Sequence, residues 1–106
     1  IAPFNCKIKR VMFKEGGSGS YTGAFVLASG LPNYGATWNI GYTNIVTHLN
    51  QAITSAAYNQ NKFEFLVTDN ITVPKGYAVC PMLVFSAQAQ AGKVSIEISI
   101  EIEEVV

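Results

Sequence analysis

The chain has 106 residues, of which 49% are hydrophobic and 13% are charged, and its seven basic residues balance seven acidic ones. This length fits one domain, and the hydrophobic content excludes a disordered polar chain. Zero net charge argues against nucleic-acid binding, and no apolar run has the roughly 18 residues of a membrane-spanning helix. Because the sequence begins with Ile1 and shows no signal peptide, we expect residues 1–106 to be one domain of a longer chain; the alternative is a processed product.

The first quarter of the chain predicts two strands. Residues 4–8 alternate between apolar and polar side chains, and the pattern ends at residues 11–13 in an apolar run, which indicates a strand over residues 4–14. The Gly- and Ser-rich residues 15–20 predict a hairpin loop. Residues 21–28 then predict the returning strand.

The middle of the chain leaves alternatives open. Residues 29–39 have the composition of a loop, and residues 40–50 fit either a strand or one or two helical turns around residues 44–51. Residues 53–58 predict a further strand, which the turn at residues 59–61 ends.

The last third contains the clearest strand patterns. Residues 62–68 alternate, Asp69 and Asn70 form a turn pair, and residues 71–73 are extended ahead of Pro74. Residues 77–87 form an apolar run that predicts a strand buried on both faces, with Pro81 marking a bulge or a sheet edge. Residues 94–102 alternate strictly between apolar and polar residues, which predicts a half-buried strand.

Opposite charges are concentrated in the first and last predicted strands. Lys7, Lys9, Arg10 and Lys14 lie in the first strand, whereas four glutamates lie in or directly after the last one. Opposite charges that face each other across neighbouring strands stabilise a sheet, so we expect these two strands to pair antiparallel. The alternative is that each charged face is solvated separately.

Seven or eight short strands with turn signals every 8–12 residues or so predict an all-β fold, either an antiparallel β-sandwich or a barrel. The two cysteines, Cys6 and Cys80, lie in apolar strands. We expect two free buried thiols, although a bridge is possible if the two strands are neighbours.

The residue inventory does not favour an enzyme. The sequence has one histidine, His48, and one aspartate, Asp69, and no Gly-x-Ser-x-Gly motif accompanies them. Glu97 and Glu101 are about 13 Å apart along one strand, too far for a catalytic pair, which leaves Glu97 with Glu64 or Asp69 as an open alternative. We expect no catalytic residue, no metal site and no cofactor.

Two polar-aromatic segments have the composition of a recognition surface, because tyrosine and tryptophan rings offer flat apolar faces and asparagine offers donors and acceptors. The alternative is that Trp38 anchors the core or packs against a sister subunit. The predicted ligand-binding residues are Asn33, Tyr34, Trp38, Asn39, Tyr42, Tyr58 and Asn59.

Three segments carry a resemblance to a known family. They are the opening Ile-Ala-Pro-Phe-Asn-Cys-Lys-Ile-Lys-Arg-Val, the stretch Phe-Leu-Val-Thr-Asp-Asn-Ile-Thr-Val-Pro-Lys-Gly-Tyr-Ala-Val from Phe65, and Val-Ser-Ile-Glu-Ile-Ser-Ile-Glu-Ile from Val94. Together they resemble the C-terminal head (knob) domains of bacteriophage fibres and related virion appendages. The resemblance implies a jelly-roll β-sandwich, similar to tumour-necrosis-factor-like domains, that assembles as a homotrimer.

A trimer agrees with the low charged fraction, because interface cores are depleted in Lys, Glu and Asp. The strand over residues 77–87 is the expected contact, through Tyr77, Val79, Met82, Val84 and Phe85. The resemblance therefore implies a phage attachment module on the virion surface that binds a host glycan or protein. The alternative is a capsid decoration or head-fibre protein that contacts other virion proteins and has no receptor role. Neither hypothesis involves nucleic acid or membrane insertion.

Overall fold

The computed structural model describes residues 1–17, 20–34, 40–55, 61–90 and 94–106. These residues contain seven strands and no helix, which confirms the all-β class. The strands are β1 (Cys6–Gly17), β2 (Ser20–Tyr34), β3 (Ile40–Ser55), β4 (Asn61–Leu66), β5 (Thr72–Val73), β6 (Ala78–Gln90) and β7 (Val94–Glu104).

The strands form two antiparallel sheets, in agreement with the predicted β-sandwich. In the first sheet β1 lies between β7 on one side and β4 and β5 on the other. In the second sheet β2 lies between β3 and β6. Pro81 therefore lies in an edge strand. The outer edge of such a strand pairs with no further strand of the sheet, so a residue without an N–H group is tolerated there.

The core lies between the two sheets and is built from alternate residues of the central strands. Phe13 of β1 and Phe25 of β2 are almost completely buried, and their ring centroids are 5.2 Å apart. Phe63 and Phe65 of β4 extend this aromatic cluster along the first sheet. The cluster joins the sheets, since Phe13 and Phe25 come from opposite sides of the sandwich.

The predicted pairing of the first and last strands is confirmed. β1 and β7 are antiparallel, with Lys7 directly opposite Glu103 and Lys14 opposite Glu97. The Lys9 ammonium lies 3.8 Å from the Glu103 carboxylate. The register therefore places the basic strand against the acidic one, as the charge pattern indicated.

Several boundaries differ from the sequence prediction. β1 and β2 belong to different sheets, so these two strands do not form the predicted hairpin. The predicted loop over residues 29–34 is the end of β2, and residues 40–55 form one strand with neither a helical turn nor a break. Residue pairing with β3 stabilises this part of β2, which the local sequence pattern does not reveal.

Residues 77–87 are predicted to be buried on both faces, one of them by a sister copy, and the single chain buries one face only. In β6 one side packs against the core through Val79 and Leu83, whereas Met82 and Val84 on the other side are exposed. Both cysteines are free thiols, as expected. Cys6 is buried as well, whereas Cys80 is only half-buried. In the parts of the chain that the structure describes, no helix long and apolar enough to cross a membrane occurs.

Candidate functional site

The second sheet contains no Lys, Arg, Asp or Glu in any of its three strands. Every charged residue within a described strand lies in β1, β4 or β7. We therefore call β3-β2-β6 the uncharged sheet and the sheet around β1 the charged sheet. Packing in the core does not explain this separation. Each sheet has an outer side that faces away from the core, and charged residues could lie on either outer side.

The outer side of the uncharged sheet follows from the strand register. Phe25 and Leu27 of β2 point into the core, so the alternate residues between and beside them point outward. Residues directly opposite in antiparallel strands share a side, and Val26 is opposite Met82 while Ala24 is opposite Val84. We call this outer side the uncharged face; its residues include Ala24, Val26, Ala28, Gly30, Tyr42, Ile45, Cys80, Met82 and Val84.

Large apolar side chains on the uncharged face remain accessible to water. The exposed fraction is 64% for Ile45, 53% for Val84 and 44% for Met82. A contiguous apolar surface of this kind is characteristic of interaction sites in soluble proteins. The face is therefore the first candidate for a functional surface.

The outer side of the charged sheet has a different character. Arg10 of β1 contacts Glu64 of β4 at 2.7 Å and Glu101 of β7 at 3.1 Å, which links three strands. The hydrogen bond that Arg10 donates to Glu64, followed by the negative charges of both glutamates, raises the pKa of Arg10 above its usual range. This outer side is thus stabilised by its own charge pairs in water, whereas the uncharged face has none.

The β2–β3 hairpin carries three of the predicted ligand-binding residues. Residues 31–34 of β2 pair with residues 40–43 of β3, beyond the point where Gly30 pairs with the first residue of β6. Asn33 and Tyr34 are exposed on this two-stranded arm, and Tyr42 is exposed nearer its base. Trp38, Asn39, Tyr58 and Asn59 lie outside the described residues, and their predicted role stays a prediction.

The five residues predicted for the oligomer contact lie in three different places. Met82 and Val84 lie on the uncharged face, as a contact would require. Tyr77 and Val79 pack partly buried against the core. Phe85 is half exposed at one end of the sandwich, where its ring meets that of Tyr21 edge-on at 5.0 Å.

One small pocket brings the predicted ligand residues and the predicted contact residues together. It has a volume of about 170 Å³, and Tyr42 and Met82 both line it, with Cys80 between them. The sequence analysis assigned Tyr42 to a ligand site and Met82 to a subunit contact. The structure places Tyr42 and Met82 on one surface. A partner that covers one of these two side chains therefore also covers the other.

A second cluster contains His48 and Asp69, for which the sequence predicts no catalytic role. The Ser29 hydroxyl lies 2.6 Å from Nε2 of His48, and Nδ1 of His48 lies 2.7 Å from a carboxylate oxygen of Asp69. The other Asp69 oxygen accepts a hydrogen bond from the Ile71 amide at 3.1 Å. The three side chains have the order and spacing of a serine-hydrolase triad.

The Ser29–His48–Asp69 cluster differs from a catalytic triad in the burial of its serine. Ser29 is buried, the His48 side chain has 0% exposure, and the Asp69 side chain has 20%. Water therefore reaches the Asp69 carboxylate. A substrate would have to reach the Ser29 hydroxyl, which is the group that would act as the nucleophile. The cluster joins β2 and β3 of the uncharged sheet to the turn after β4 of the charged sheet, and its position indicates a structural role.

The alternative pair of carboxylates is also placed by the structure. Glu64 and Glu97 line an open groove of about 520 Å³ on the charged sheet, together with Lys14 and Lys62. β1 lies between the two glutamates, and Glu64 is engaged by Arg10. Within the described ranges, no group of three or more His, Cys, Asp or Glu residues is arranged to hold a metal ion.

Comparison of the chain with protein-family models, with curated proteins and with solved structures found no match.

Proposed function

We propose that this chain is an attachment module of a virus particle that functions as a homotrimer, with the uncharged face as the contact between its copies. In this proposal the sandwich is a jelly-roll head of a phage fibre or related appendage, located on the virion surface. The sequence resemblance supports the viral setting. The observation that carries the assembly is the uncharged face, with its exposed Ile45, Met82 and Val84.

The physical reason is the cost of exposing apolar surface to water. Three strands give the face a width of about 15 Å, and the molecule is 42 Å long. The projected area is then about 600 Å², and accessible area exceeds projected area, so the face is comparable with the roughly 800 Å² per partner of a standard interface. Its lack of charge agrees with the depletion of charged residues at interface cores.

Sedimentation equilibrium tests the assembly directly. We expect a mass three times the chain mass of 11.4 kDa. Val84→Lys places a charge on the uncharged face and should give a monomer with an unchanged circular dichroism spectrum. Ser99→Lys is the matched control, because Ser99 is exposed on the charged sheet opposite Met12 and should leave the trimer intact. A wild-type monomer, or a trimeric Val84→Lys variant, would overturn the proposed assembly.

Host attachment needs a separate measurement. The exposed end of the β2–β3 arm, with Asn33 and Tyr34, extends past the third strand of its sheet and offers a polar-aromatic contact. Three linked copies would raise the overall affinity of a weak site through effective concentration. We expect the trimer to bind a host-surface glycan or protein on an array, and Tyr34→Ala to weaken binding without changing the mass.

The alternative, a decoration or head-fibre protein that contacts other virion proteins, predicts a trimer with no binding to any host-surface component. In that outcome the receptor role is wrong and the assembly stands.

One observation favours a second function, serine hydrolysis, namely the hydrogen-bonded order Ser29–His48–Asp69. We rank it below attachment because the hydroxyl end of the cluster is buried. A fluorophosphonate probe separates the two, since it labels an activated serine. We expect no labelling of the folded protein. Labelling of Ser29 that His48→Gln abolishes would establish the hydrolase instead.

A further inference from the structure

The pocket on the uncharged face exists because position 30 is a glycine. A Cβ atom placed on Gly30 would lie 3.2 Å from Cβ of Tyr42 and 3.4 Å from Cγ1 of Ile45. The backbone there is not in the left-handed region, so the conformation does not itself require glycine. What the glycine provides is a space between β2 and the two side chains of β3, with Cys80 and Met82 of β6 opposite.

The residues that line the pocket indicate what kind of group it can bind. The pocket is lined by Ala28, Ser29 and Gly30 of β2, by Tyr42 and Ile45 of β3, and by Cys80 and Met82 of β6. None of these residues is charged, and the Ser29 hydroxyl is engaged by His48. A hydrogen bond with the sulfur of Cys80 is the largest of the effects that raise the pKa of Tyr42. A cavity of about 150 Å³ takes one benzene ring. The pocket therefore suits one apolar side chain.

We propose that the pocket lined by Gly30, Tyr42, Ile45, Cys80 and Met82 receives an apolar side chain from a second copy of this chain. This inference rests on the proposed trimer and names where the copies interlock. Two observations favour a sister copy over a free ligand. The pocket is continuous with the uncharged face through Met82. Its lining also contains no charged side chain that could hold an ionic ligand.

Cys80 provides a reporter of pocket occupancy within the natural sequence. It is half-buried in the pocket wall, whereas the other cysteine, Cys6, is buried in the core. Burial raises the pKa of the Cys6 thiol, which lowers its thiolate fraction and its reactivity. Modification of the native protein by N-ethylmaleimide should therefore be confined to Cys80, and peptide mass spectrometry identifies the site.

The experiment follows the modification rate across a protein concentration series in which sedimentation measures assembly. If the pocket is covered in the trimer, the Cys80 rate falls in proportion to the monomer fraction, about tenfold when nine chains in ten are assembled. Cys6 should stay unmodified throughout and serves as the internal control for folding.

A pocket-filling variant gives the second readout. Gly30→Ala fills part of the space and should weaken assembly at least several-fold. Gly41→Ala is the matched control, because its Cβ would meet nothing nearer than the Asn33 carbonyl oxygen at 3.9 Å. Circular dichroism and thermal melting check that both variants fold.

The outcomes separate this inference from the proposed function. A chain that stays monomeric at all concentrations refutes the trimer. A trimer in which Cys80 keeps its monomer rate refutes the pocket contact alone. Protection of Cys80 at concentrations where sedimentation shows only monomer would show a small apolar ligand in the pocket, and would also refute the sister copy as occupant.

Discussion

His48→Ala should destabilise the fold strongly, because His48 connects the two sheets through a fully buried side chain. The substitution removes the 2.6 Å contact with Ser29 and the 2.7 Å contact with Asp69. A buried hydrogen bond contributes about 1 kcal/mol net, and a buried hydroxyl left without a partner costs about 1–3 kcal/mol. The total is about 3 kcal/mol, before any cost of the cavity that the imidazole leaves.

Urea unfolding followed by circular dichroism measures this loss. For a domain of this size, 3 kcal/mol corresponds to a fall in melting temperature of about 15 °C. Thr47→Ala is the control, because Thr47 is the exposed neighbour of His48 in the same strand. Its effect should stay within about 0.5 kcal/mol.

Asp69→Asn refines the test, since an amide retains one oxygen that can accept from Nδ1 of His48. We expect it to lose less stability than His48→Ala. Equal unfolding midpoints for His48→Ala and Thr47→Ala would refute the structural role of the cluster. In that case the short contacts would need another explanation, and the hydrolase hypothesis would gain weight.

Three further predictions concern the sheets themselves. Gly23→Ala should separate β6 from β2 and lower the melting temperature sharply, because its Cβ would clash with a β6 carbonyl oxygen; Gly41→Ala, in open space, should melt like the wild type. Phe25→Ala should cost about 3–5 kcal/mol in urea unfolding, whereas Leu66→Ala, which is largely exposed, should cost far less. Arg10→Gln should lower the urea midpoint slightly at low salt and make little difference at high salt, because exposed charge pairs are screened.

The strand positions were largely predictable because alternation is a local property of the sequence. The periodic residues 94–102 fall within β7, and the charge pattern correctly indicated that β7 pairs with β1. The extension of β2 to Tyr34 was not predictable in this way. Its polar, Gly- and Pro-containing end is a strand because β3 pairs with it, and such pairing depends on residues distant in sequence.

The buried cluster could not be inferred from local patterns either. Ser29, His48 and Asp69 are about 20 residues apart in succession and come from two sheets. The register of β3 against β2 shifts between Leu27 and Ala28, whose partners are Leu49 and Thr47, so His48 is the extra residue at this irregularity. A one-residue irregularity changes which side chains point inward, and nothing in the sequence marks its position.

The uncharged sheet, in contrast, had a sequence signal that the strand analysis did not use. Residues 16–61 and residues 76–92 contain no Lys, Arg, Asp or Glu, and these two runs supply β2, β3 and β6. A solvated outer face normally carries charge at alternate positions, as β1 and β7 do. Two long runs without charge therefore predict strands that pair with each other and whose outer side is covered. The sheet order agrees with the first part of this prediction, because β2 pairs with both β3 and β6. The second part concerns the outer side, where Val84 is half exposed and a second copy would cover it.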